Sequence, residues 1–165
     1  MTIRQIRELG DPVLRTPADP VRAFDRELAA LVRDLEETVD HPGRAGLAAP
    51  QIGVSQRVFS FNVDGEIGHM VNPSIVELSE EIQDGDEGCL SVPGIWAPTV
   101  RAMHCVVEGF DVRGEPLRLA GTGLMARCLQ HEVDHLDGKV FLDRLEGAAR
   151  KHAFRLLRER TTSAS

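Results

Sequence analysis

His131-Glu132-Val133-Asp134-His135 is the stretch on which the reading of this sequence turns. It falls near the end of a helical pattern running from about Thr122, a plausible N-cap, to Leu136, with Gly138 as the stop. On a helix, positions i and i+4 lie on one face one turn apart. The imidazoles of His131 and His135 can therefore reach one metal ion. Glu132, one residue on, is turned about 100° away from that direction. A carboxylate so placed can take a proton from water at the open position of such a site. The plain alternative is two ordinary histidines on a helix, and the rest of the chain has to decide.

A hydrolytic metal centre needs a third protein ligand. The position six residues after His135, where some helix-borne zinc sites place a further histidine, is Phe141. Glu146 and Glu159 lie downstream, in a charged segment with nothing else to single them out. Cys128 sits on the histidine face, but seven residues from His135. That is about 10.5 Å along a helix axis, against metal bonds of about 2.0–2.3 Å. It can line a pocket beside the ion without sharing it with His135. Cys89 and Cys105 remain, both in strand-rich sequence where a lone cysteine is commonly just buried. Spacing alone does not rank them.

Outward from this helix, the pattern is helix, strands, helix, helix. Asp11-Pro12 and Pro17-Ala18-Asp19-Pro20 mark a turn-rich start. Phe24, Leu28, Leu31, Val32, Leu35 and Val39 predict a helix from about Phe24 to His41, stopped by His41-Pro42-Gly43. Short strand-type runs follow at 58–61, 67–71, 75–78, 99–112 and 116–119, with Asp64-Gly65, Asp84-Gly85 and Arg113-Gly114 as turns. The order predicts an α+β fold: antiparallel β-sheets around a central helix carrying the metal motif, with a C-terminal helix. Residues 1–165 are expected to form a single catalytic domain, with 143–165 a basic C-terminal helix and frayed tail ending Thr161-Thr162-Ser163-Ala164-Ser165.

Hydrophobic residues make up 42% and charged residues 27% of the chain, the balance of a globular protein. No apolar run reaches the roughly 18 residues that would span a membrane. Met1-Thr2-Ile3-Arg4-Gln5 shows no apolar signal core, so the cytoplasm is the expected location. Three cysteines make no disulfide framework and read as thiols. A net charge of −7 argues against nucleic acid as the main ligand. Yet Asp143 to Arg160 holds six cations against three anions. That basic end can be a docking surface for RNA or an acidic surface, or simply a solvated helix.

Three motifs then meet in one chain. Gly46-Leu47-Ala48-Ala49-Pro50-Gln51, Glu87-Gly88-Cys89-Leu90-Ser91 and Gln130-His131-Glu132-Val133-Asp134-His135-Leu136-Asp137-Gly138 resemble the signature motifs of peptide deformylases, in order and spacing. The resemblance covers nearly the whole chain, from Gly10-Asp11-Pro12-Val13-Leu14-Arg15 to the last helix. It implies removal of the formyl group from N-terminal formyl-methionine of nascent polypeptides, releasing formate. It further implies Cys89, His131 and His135 as metal ligands, Glu132 as general base and acid, and Gln51 with the Leu90 N–H as oxyanion donors. Formamide hydrolysis puts negative charge on the carbonyl oxygen, and losing one such donor typically costs about 10²–10³ in rate. The substrate would lie against Ala45, Gly46, Glu87 and Gly88, pairing like a strand. Its methionine would lie against Leu124, Cys128 and the stem of Arg127.

A Cys/His/His set by itself points to zinc. The resemblance implies one Fe²⁺, with Zn²⁺, Ni²⁺ or Co²⁺ as substitutes, in a monomer whose basic C-terminal helix can dock on the ribosome. Two positions depart from the family pattern: Arg44 replaces a glycine, and Trp96 follows the cysteine motif where many relatives carry a charge. Competing readings are a metallopeptidase or other N-acyl deacylase, and a metal-stabilised scaffold without turnover.

Overall fold

The computed structural model describes residues 3–163. Helix α1 spans Arg26–Val39, two residues shorter at each end than its apolar spacing predicts. Asp25 sets the start, its carboxylate accepting the Leu28 N–H at 3.0 Å, and so competes with any extra turn. Phe24 stays outside the helix with its ring edge-on to Phe110 at 6.1 Å.

Seven strands follow among the described residues: β1 (Gly46–Ala48), β2 (Val58–Val63), β3 (Glu66–Leu78), β4 (Ile82–Cys89), β5 (Val92–Ala102), β6 (His104–Phe110) and β7 (Pro116–Thr122). Five form an antiparallel sheet in the order β1-β2-β3-β6-β7, and β4 pairs with β5 in a second, two-stranded sheet. Helix α2 (Leu124–Leu136) lies between the sheets, touching every strand of the first and β5 of the second. The expected α+β arrangement of antiparallel sheets around a central helix is what the chain adopts. After a 3₁₀ turn at Phe141–Arg144, helix α3 runs Gly147–Ser163 along β5. It starts later than Asp143 and stays helical through Ser163, so the tail does not fray at Thr161; Ala164 and Ser165 lie outside the described residues.

Several strand boundaries differ from the sequence reading. The runs at 67–71 and 75–78 are one strand, β3, bent by register shifts where Asn72 takes a positive φ of 51°. The 99–112 run breaks at Met103, where the chain passes from β5 to β6. Asp84-Gly85 is no turn; it sits inside β4, paired with Val100 and Thr99. Its composition is poor for a strand, and the pairing with β5 overrides that weak preference. Gly123, not Thr122, heads α2; the Thr122 hydroxyl is 3.0 Å from His104 Nδ1 instead.

Helix α2 is buried nearly all round. Ala126, Leu129, Val133 and Leu136 join Phe59, Met70 and Val107 in the core under the large sheet. Helix α1 closes a second core against Leu47, Ile52, Val58 and Val71. Charged and polar side chains fill the rest of the α2 surface, and burial of such groups is costly unless each finds a partner. Those partners make the site.

Candidate metal centre and substrate groove

Strand β4 ends at Cys89, and the two residues Leu90-Ser91 turn the chain into β5. This turn brings the Cys89 thiol to the histidine face of α2, 3.3 Å from His135 Nε2. The two Nε2 atoms of His131 and His135 lie 3.1 Å apart. All three donor atoms fall within 4.8 Å of one another. Cys105, which spacing could not set aside, is 1% exposed in the core, where burial pushes its thiol up to about 11. The structure selects Cys89.

The donor set fits a metal ion. His131 Nδ1 is 2.6 Å from Glu87 Oε2, so the neutral ring keeps its proton on Nδ1 and turns its Nε2 lone pair the other way. That lone pair faces the Nε2 of His135 and the sulfur of Cys89, three electron-rich donor atoms gathered in one place. Burial, and then the neighbouring His131, push the pKa of His135 well below the ordinary value, which keeps its imidazole neutral, as ligation requires. Burial alone would lower the pKa of His131 too, but Glu132, Cys89 and Glu87 outweigh it and raise it well above the ordinary value, so a second proton competes with a metal ion for Nε2.

Behind the histidines stands a buried ionic network. Burial alone would raise the pKa of Glu87, but hydrogen bonds from His131 and Arg101 hold it well below the usual carboxylate range. Arg101 donates to Glu87 through Nε at 3.0 Å and Nη2 at 2.6 Å, and to Asp134 through Nη1 at 2.7 Å. Arg144 donates to both oxygens of Asp134. Arg127 Nη1 donates to Glu87 Oε1 and to the Thr99 carbonyl, each at 2.8 Å.

Glu132 is 2% exposed, with Oε1 lacking a hydrogen-bond partner among the described residues and Oε2 4.0 Å from His131 Nε2. Burial pushes its pKa up to about 7, the range suited to a group that must both take and give a proton near neutrality. Gln51 is buried beside the metal position: its Oε1 accepts the Ala48 N–H at 2.9 Å and its Nε2 donates to Ser91 Oγ at 3.0 Å. These bonds fix which end of the amide faces Cys89. A groove of about 840 Å³ opens in front, walled by residues 40–46 on one side and 86–96 on the other, with α2 as its floor.

A family model for polypeptide deformylase matches residues 3–151. This chain belongs to the peptide deformylase family. A peptide deformylase of Acidothermus cellulolyticus is 59% identical over 159 residues, covering 96% of this chain and 88% of the relative. Peptide deformylase 1 of Corynebacterium efficiens is 48% identical, covering 96% of both chains. The crystal structure of the Legionella pneumophila peptide deformylase superposes with a TM-score of 0.89 at 42% identity, covering 99% of this chain and 98% of that one. That from Synechococcus elongatus, in complex with actinonin, gives 0.86 at 36% identity, covering 93% and 85%. Peptide deformylases remove the N-formyl group from nascent polypeptides, and this chain is a hydrolase of that kind.

Within this peptide deformylase the residues singled out from sequence converge on one place. Ala45, Gly46, Gly88, Leu124, Arg127 and Cys128 line the groove. Gly46 must be glycine, since a Cβ there would lie 2.5 Å from Glu132 Oε2 and 2.9 Å from the Cys128 sulfur. The Cys128 thiol, kept protonated by burial, donates to the Ala45 carbonyl. Glu87 also lines the groove, and both its carboxylate oxygens are taken up by His131, Arg101 and Arg127. Sequence reasoning assigned no role to Ser91, Arg101 or Asp134. Asp134 stood inside the helix motif and so carried a signal, whereas nothing in the sequence marked Arg101. No helix among the described residues is long and apolar enough to cross a membrane.

Proposed function

We propose that this chain, as a single catalytic domain, deformylates nascent chains with one divalent ion held by Cys89, His131 and His135. The observation that carries the reading is the buried Glu132 Oε1, without a hydrogen-bond partner among the described residues, beside three converging donor atoms. A bound ion supplies Lewis acidity, polarising the formyl oxygen and acidifying water. Glu132 takes a proton from the attacking water and delivers it to the departing amine, leaving formate and a free N-terminus. Gln51 Nε2 and the Leu90 N–H donate to the oxygen that gains negative charge. Glu87 acts through His131, fixing its tautomer, with Arg101 and Arg127 holding Glu87 in place.

The substrate backbone adds as a strand between two free edges. β1 is the edge of the large sheet, and among the described residues β4 pairs with β5 alone, so a chain laid in the groove can run past Ala45, Gly46 and Gly88. The methionine side chain then lies on the inner side, against Leu124, Cys128 and the stem of Arg127. The native ion is Fe²⁺, with Zn²⁺, Ni²⁺ and Co²⁺ as substitutes, and the protein works as a cytoplasmic monomer. Arg150, Lys151 and Arg155 on α3 are exposed, and this basic face docks on the ribosome.

The decisive test is anaerobic purification, metal analysis and formate release from formyl-Met-Ala-Ser, comparing wild type with Glu132→Gln. Retained metal with activity lost is expected; robust turnover in Glu132→Gln removes the proton-carrier role. A metal-loaded wild type that releases no formate returns the chain to the scaffold reading. For docking, Lys151→Glu with Arg155→Glu should abolish co-sedimentation with ribosomes; unchanged binding refutes that part.

A further inference from the structure

The β4–β5 hairpin has two unlike faces. Its inner face carries Glu87, Ala97, Thr99 and Arg101, all buried. Its outer face carries Asp86 on β4 and Trp96 and Pro98 on β5, all exposed. Asp86 is opposite Pro98, and Gly88 is opposite Trp96. Because Gly88 has no side chain, the indole lies across it: a Cβ at 88 would fall 2.7 Å from Cδ2 and Cε3 of the ring. Trp96 thus reaches over β4 to the groove, which it lines together with Asp86 and Gly88 while staying 62% exposed. A large aromatic ring anchored at one edge and open above is better suited to hold a ligand than to fill a core. The cations of the hairpin and of α2, Arg101 and Arg127, are both committed to Glu87. The Asp86 carboxylate is left without an ion pair among the described residues.

The next step rests on the strand-like substrate pose given above. Successive side chains of an extended chain point to opposite faces. With methionine turned inward against α2, the following side chain turns outward, where Trp96 and Asp86 stand. We propose that Trp96 and Asp86 form the subsite for the residue after methionine and select a basic side chain there. The aliphatic stem and cation of a lysine or arginine lie on the indole face, and the charged head pairs with Asp86. Arg44 on the opposite wall is the nearest competing feature in character, but its guanidinium is drawn back to donate to the Thr38 carbonyl at 2.6 Å. Exposed cation–π contacts and surface ion pairs are each weak, so together they discriminate about three- to tenfold.

The test compares kcat/KM for formate release from formyl-Met-Lys-Ser, formyl-Met-Leu-Ser and formyl-Met-Glu-Ser by the metal-loaded protein. The expected order is Lys, Leu, Glu, with Lys over Glu by about three- to tenfold. Asp86→Asn should bring Lys down to Leu, and Trp96→Ala should raise KM for both while leaving kcat near wild type. Trp96 is the sole tryptophan and the chain has no tyrosine, so its emission reports this subsite directly. Product Met-Lys-Ser should shift that emission at concentrations where Met-Glu-Ser does not. Equal kcat/KM for the three peptides, a Lys preference untouched by Asp86→Asn, or an emission blind to Met-Lys-Ser overturns the proposal. Absence of formate release from all three would instead overturn the deformylase reading on which it rests.

Discussion

Glu87 Oε2 and His131 Nδ1 lie 2.6 Å apart, both buried, on strand β4 and helix α2 respectively. A neutral imidazole has one proton to give. Held on Nδ1 by this carboxylate, it leaves Nε2 bare toward His135 and Cys89. Glu87 therefore orients one donor of the Cys89, His131 and His135 group without belonging to that group.

Replacing Glu87 by Gln keeps the shape and removes the charge that holds the proton. Metal affinity, measured by competition with a chromophoric chelator, should fall about 10- to 100-fold. Undiminished affinity would show that the His131 tautomer is set by something else.

Gly46→Ala places a methyl group 2.5 Å from Glu132 Oε2, a distance no real side chain tolerates. The backbone there belongs to strand β1, paired with Phe61, and has little room to retreat. Glu132 must swing away, so kcat for formate release should drop by about 10²-fold, the scale of a lost acid–base group, with circular dichroism unchanged. Wild-type kcat would mean that the Glu132 position seen here is not the one that matters.

Arg101→Met should be among the most destabilising single changes in the protein. It takes one of three partners from buried Glu87 and one of two from buried Asp134. Breaking a buried ion pair from one side costs about 3–5 kcal/mol, read as a loss in urea unfolding free energy. Arg144→Met is a matched control: its side chain is 47% exposed, so its own pair with Asp134 contributes about 1 kcal/mol or less. Equal losses for the two variants would contradict this ranking.

Cys89→Ser and Cys105→Ser separate ligand from core. Purified Cys105→Ser should retain about one ion per chain by elemental analysis, while Cys89→Ser should fall well below that after brief dialysis against a chelator. Full metal content in Cys89→Ser would remove the thiol from the site.

Much of this was legible in the linear chain. The i, i+4 histidines with Glu132 between them needed only helical geometry, and the fold class followed from the order of periodic segments. The difficulty lay with β4, Ile82-Gln83-Asp84-Gly85-Asp86-Glu87-Gly88-Cys89, which after Ile82 has neither the alternation nor the β-branched residues of a strand. It is a strand because β5 pairs with it from Ala102 back to Val92. Missing it meant missing why Glu87 faces inward and Asp86 outward.

What the sequence determined alone was the identity of the reactive groups and the helix that carries two of them, since a 3.6-residue period is a property of the local chain. Spacing left open which cysteine joins them and the motif resemblance only implied Cys89; the tertiary structure brings Cys89 to the histidines and alone decides what stands behind them. Cys89 lies 42 positions before His131 and 46 before His135, and Arg101 links Glu87 to Asp134 across a comparable stretch of chain. Contacts at that separation are set by sheet pairing and by the need of buried charges for partners, and no local rule encodes either one.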